Sequence, residues 1–134
     1  MEENGEVLCA RWGEGRYEIL GTAVHCGKDV ALIFAGGSCP HVGAVSVGMY
    51  EPLRRSATVS TITVFTHRDD CLAAKCAKGA SARLHCQAAV TVGIHIDKAT
   101  QEELRILEEN FWACSEELID RLKQEREGWE RENE

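Results

Sequence analysis

The segment from Thr100 onward constrains this chain more than any other. Thr100-Gln-Glu-Glu103 reads as a capping box, in which the Thr hydroxyl and the Glu carboxylate satisfy free backbone N–H groups reciprocally. Leu104, Leu107, Phe111, Cys114, Leu118 and Leu122 then recur every three or four residues, a single apolar stripe along one helix. A stripe of that length has to be buried against another layer, and the chain before it supplies strands. Residues 17–26 read as a strand, Gly27-Lys28 as a tight hairpin connection, and Val30-Ala-Leu-Ile-Phe-Ala35 as a central strand apolar on both faces. Strand character returns over 44–50 and 57–66, a helix rich in small residues follows over 69–84, and 88–96 is again a strand. The expected fold class is α+β: a single mostly antiparallel sheet, a β meander followed by α-β-α, with two helices packed on one face. A chain of 134 residues suits one domain, expected over residues 6–125. The first five residues read as a loose terminus, and 126–134 as a charged tail that frays.

Two strands alternate in side-chain size. Val45, Val47 and Met49 share one face of their strand, as do Val90, Val92, Ile94 and Ile96 of theirs. Ala44, Ser46 and Gly48, and Ala89, Thr91, Gly93 and His95, occupy the opposite faces. The expectation is that the large side chains meet the helices. The small-residue face is then left for a second sheet across a dimer interface, or for a flat ligand close to the backbone.

Charge narrows the partners. The formal net charge of −7 lies wholly in the last quarter: residues 1–100 carry ten basic and ten acidic side chains, residues 101–134 five and twelve. An acidic end repels phosphate backbones and argues against nucleic acid. The longest apolar run is six residues, where a membrane span needs about 20. The opening Met1-Glu-Glu-Asn shows no basic start with an apolar stretch behind it, so the expectation is a cytoplasmic protein with no membrane partner. Seven cysteines without a Cys-x-x-Cys pair suit buried free thiols in a reducing compartment better than zinc or a redox motif.

Three of the five histidines, His41, His67 and His95, stand at strand ends. With 44–50 and 57–66 as a hairpin, and a helix returning the chain so that 88–96 runs parallel to 57–66, these ends reach one edge together with Arg68 and Asp97. Gly36-Gly37 permits close backbone approach and offers N–H groups to an anion, and a helix N-terminus after His67 adds positive potential. Asp69 and Asp70 compete for that terminus. Three readings follow from the residues. One is a site for a flat phosphorylated ligand. Another is a metal-dependent hydrolase with His41, His67, His95 and Asp97 as ligands, although no two of them have a familiar metal-motif spacing. The last is a dimeric assembly module without a ligand.

Gly36-Gly37-x-x-Pro40-His41-x-Gly43, then His67-Arg68-Asp69-Asp70, then Gly93-Ile94-His95-Ile96-Asp97-x-x-Thr100, resembles the LpdD-like prenylated flavin chaperones, which accompany UbiD-type decarboxylases of gallate and related hydroxyarylic acids. The likeness covers about residues 17–120, and Gly-Ile-His-Ile-Asp is its most specific part. It implies a fold like the proteasome assembly chaperones, a homodimer, and a non-enzymatic carrier that binds prenylated FMN (or FMN) and delivers it to an apo-decarboxylase. The implied cofactor-binding residues are Gly36, Gly37, His41, Gly43, His67, Arg68, Gly93, His95 and Asp97, with no catalytic residue and no metal ligand. Arg68 stands where the family more often has lysine, which keeps the charge and changes the donor geometry. Gly79 and Ser81 interrupt a helix that is usually richer in Lys, Glu and Leu, and Cys39 inside the glycine loop has no counterpart role.

Overall fold

The computed structural model describes residues 7–64 and 67–132. Six strands form one sheet: β1 (Val7–Trp12), β2 (Ile19–Cys26), β3 (Asp29–Gly37), β4 (Ala44–Glu51), β5 (Ser56–Thr63) and β6 (Ala88–His95). Two helices, α1 (His67–Leu84) and α2 (Gln101–Glu132), complete the α+β fold expected from the sequence. The strand order is β1-β2-β3-β6-β4-β5, and among the described residues only β3 and β6 pair in parallel. The loose terminus expected for residues 1–5 lies outside the described residues.

The hairpin at Gly27-Lys28 forms as its residues require, with Cys26 opposite Asp29 and Gly27 at φ +65°. β6 inserts between β3 and β4 and so interrupts the expected meander. It runs in the direction of β5 without pairing with it, because β4 lies antiparallel to both. Burial explains the choice. β6 offers Ala88, Val90 and Val92, all fully buried, for a central place, whereas the hydroxyl-rich β5 (SATVSTIT) is mostly exposed and suits an edge. β1 was hidden in the sequence, since Ala10 is its only buried residue.

Both helices cover one face. The α2 stripe works as its spacing predicts: Leu107, Phe111, Cys114, Leu118 and Leu122 are buried, and the Phe111 ring meets Phe34 edge-on at 4.9 Å. The capping box is formed, with the Glu103 N–H donating to Thr100 Oγ1 and the Thr100 N–H to Glu103 Oε1, both at 3.1 Å. The helix continues past Glu125 to Glu132, where a frayed tail was expected. Glu125 and Arg126 reach back to His25 and to the Lys28 carbonyl, tying the last turns to the β2–β3 hairpin.

The size alternation in β4 resolves opposite to expectation. Ala44, Ser46 and Gly48 face the helices, while Val45, Val47 and Met49 point away. The reason is α1, whose inner face is Ala73, Cys76, Ala77, Ala80 and Ser81. A helix of small residues packs close and needs small residues beneath it. A Cβ on Gly48 would strike the Ala77 carbonyl. In β6, Val90 and Val92 do face the helices, as expected. The helix-free face is therefore more apolar than anticipated: Ile33 (47% exposed), Val47 (37%), Met49 (41%) and Ile62 (73%) share it with Ala31, Ala35, Ala89 and Thr91.

Candidate functional site

The insertion of β6 creates the site's geometry. Because β3 and β4 are not neighbours, residues 38–43 must step across the end of β6 to join them. The crossing is fixed by two backbone bonds, Cys39 N–H to the His95 carbonyl (3.1 Å) and Gly43 N–H to the Val92 carbonyl (3.0 Å). The chain lies so close that a Cβ on Gly93 would fall 1.1 Å from the His41 carbonyl oxygen. Gly37, at φ +86°, faces the His95 carbonyl in the same way, and Gly36 has Ile19 and the Glu18 carbonyl before it. Gly43 lies over the buried Asp69 side chain in the first turn of α1. All four glycines thus have a packing requirement of their own.

This crossing brings His41 onto His95. Their rings meet edge-on with centroids 5.6 Å apart. His41 Nδ1 lies 3.2 Å from the Cys39 carbonyl, and His95 Nε2 lies 2.9 Å from Asp97 Oδ1. The carboxylate orients the His95 ring and the loop carbonyl orients the His41 ring, so both imidazoles are held while part of each stays open. Arg68, on the first turn of α1, lines with His95 a groove of about 410 Å³ whose floor is Ile94, Ile96, Leu104 and Leu107. Arg68 also pairs with Glu108 at 3.6 Å, a half-exposed pair of the kind that contributes little to stability.

His95 is therefore the link of the site: it touches His41 and Asp97, and it lines the groove with Arg68. His67 opens α1, and its side chain lies outside the described residues. Lys98 is a groove residue that sequence reasoning passed over. It sits at φ +53° in the turn between β6 and α2, and its proximity to Asp97 was the available signal. Among the described residues no group of three or more His, Cys, Asp and Glu side chains is placed to hold a metal ion.

A family model for the prenylated flavin chaperone LpdD-like domain matches residues 13–123. The chain belongs to this family. The site of this LpdD-like chain lies inside the matched region. No curated protein matches it in sequence. Among solved structures, a chain from a chaperone complex for yeast 20S proteasome assembly is similar at a TM-score of 0.57 and 18% identity, over 90% of this chain and 96% of that one. At that identity the likeness establishes the fold, the one expected from the sequence resemblance.

The residues present suit a phosphorylated flavin through side chains more than through glycine amides. The Cys39 and Gly43 N–H groups already donate to β6, whereas Arg68 and Lys98 line the groove together with the buried Asp69 carboxylate. The floor of the groove is apolar, and the His95 imidazole borders it.

Proposed function

We propose that this chain is a cytoplasmic, non-enzymatic carrier that binds prenylated FMN (or FMN) at the His41–His95 rim and supplies it to a UbiD-type aromatic acid decarboxylase. Arg68 and Lys98 hold the phosphate, Ile94, Leu104 and Leu107 receive the flat ring, and His41, His67, His95 and Asp97 orient its polar edge. Gly36, Gly37, Gly43 and Gly93 shape the crossing that presents His41. The flavin brings the redox-active ring system, while this chain's residues bind it, orient it and limit its contact with water. Release requires only that the apo-decarboxylase bind the flavin more tightly than the carrier does.

The observation that carries the reading is His95, which meets His41 and Asp97 and also lines the Arg68 groove, inside the region matched by the prenylated flavin chaperone family. The helix-free sheet face supports a homodimer. Ile33, Val47, Met49 and Ile62 are exposed apolar side chains on that one face, and an identical sheet covers it symmetrically.

The test mixes purified protein with FMN and with reduced prenylated FMN, and follows the flavin spectrum through gel filtration. Co-elution with the protein peak, lost in His95→Ala and Arg68→Ala, is the expected result. If neither flavin travels with the wild-type chain at protein excess, the carrier function is wrong.

A further inference from the structure

A second cavity, of about 330 Å³, lies at the end of the molecule away from the histidine rim. The β2–β3 hairpin, the turn after α1 and the last turns of α2 enclose it. Its walls include His25, Lys28, His85, Glu125, Arg126 and Trp129. His85, in the left-handed region at φ +53°, lays its ring flat on Tyr50, with centroids 4.5 Å apart and planes 10° from parallel. The nearly buried His25 ring is held by Glu125, with Nε2 3.3 Å from Oε2. These contacts fix two flat imidazole walls before any ligand arrives, and Trp129 adds an indole surface beside them.

The charges are arranged unevenly. Arg126 donates one Nη to the Lys28 carbonyl, and its Nε is buried without an acceptor. Among the described residues neither Arg126 nor Lys28 is joined to a carboxylate. Their donor groups beside the flat rings are available to an anion, with Glu125 and Glu130 as the carboxylates of the same cavity. Those two carboxylates repel a multiply charged phosphate more strongly than a single carboxylate, which Lys28 and the remaining Arg126 Nη can receive. The volume stands at the lower end of small-molecule sites, room for one substituted ring.

We propose that this cavity binds a small aromatic monocarboxylate. Its carboxylate meets Arg126 and Lys28, and its ring lies against Trp129 and His85. The site shares no lining residue with the flavin groove and stands independently of the carrier reading.

The experiment titrates the isotope-labelled full chain with sodium benzoate and follows amide and indole NMR signals. Saturable shifts confined to residues 25–28, 85 and 125–130 are expected, with binding weakened at least about tenfold in Arg126→Gln and several-fold in Trp129→Leu. Benzyl alcohol, which has the ring without the charge, and inorganic phosphate, which has the charge without the ring, are expected to produce no such shifts. Amide spectra of the two variants show whether each remains folded, and Trp129→Leu tests the ring wall without touching the cations. The proposal is overturned by the absence of saturable shifts up to about 10 mM benzoate, by unchanged affinity in both variants, or by phosphate binding as well as benzoate. Flavin co-elution is expected to persist in Arg126→Gln, so failure here is separable from failure of the carrier function.

Discussion

Replacing Gly93 by alanine adds one methyl group at the point where the chain crosses itself. Gly93 is outside the left-handed region, so the effect is one of space alone. The new Cβ would fall 1.1 Å from the His41 carbonyl oxygen, which must retreat by about 2 Å to reach ordinary separation. No flexible side chain can absorb this, because the obstacle is backbone. Overpacking of this kind costs about 1–3 kcal/mol. Lifting residues 38–43 also strains the bonds from Cys39 and Gly43 to β6, at about 1 kcal/mol each. The sum, about 3–5 kcal/mol, is a large part of the 5–15 kcal/mol that typically holds a domain. Gly79→Ala is the matched control: it adds the same methyl in the middle of α1, where nothing lies within 4 Å, and should stabilise by about 0.5–1 kcal/mol. Urea denaturation of the three proteins measures both effects. If Gly93→Ala unfolds at the wild-type midpoint, the chain does not cross there as described, and the His41–His95 contact loses its basis.

Thr100→Ala should lower stability by about 1 kcal/mol in the same assay, because its hydroxyl caps α2 through the Glu103 N–H. The Glu103 carboxyl is held below its ordinary value of 4.5 by the Thr100 N–H and then by the Tyr17 hydroxyl. A depressed carboxylate stabilises the fold above its unfolded pKa, and that contribution disappears as the pH falls through the folded value. Thermal midpoints measured from pH 7 down to pH 3 should therefore fall less steeply in Glu103→Gln than in wild type. Burial pushes the Cys76 thiol up to about 12 and the Cys114 thiol up to about 11, so neither should react with a thiol reagent at pH 8 until the protein is denatured. Light scattering should give about 30 kDa for wild type and about 15 kDa for Ile33→Glu, which puts a charge on the helix-free face; 15 kDa for wild type would remove the dimer.

The elements with a local signature were legible in the sequence. The capping box and the 3.6-residue stripe located α2, and the Gly27-Lys28 dipeptide located a hairpin, because each depends on residues close together in the chain. That His41, His95 and Asp97 share one edge was readable from the expected 44–50/57–66 hairpin and the direction of 88–96. β6 does run the way of β5, whereas the ring contact itself depends on the crossing. Only the tertiary structure decided that β6 lies between β3 and β4. Competition among all strands for burial sets strand order, and no single segment encodes it. That one placement forces the 38–43 crossing and gives Gly93 its role. The close fit of α1 likewise decided which face of β4 turns inward, since alternation distinguishes two faces without saying which meets the helix. The second cavity was beyond any reading of spacing, because it joins a hairpin, a turn after a helix and the end of another helix that are up to a hundred residues apart in the chain.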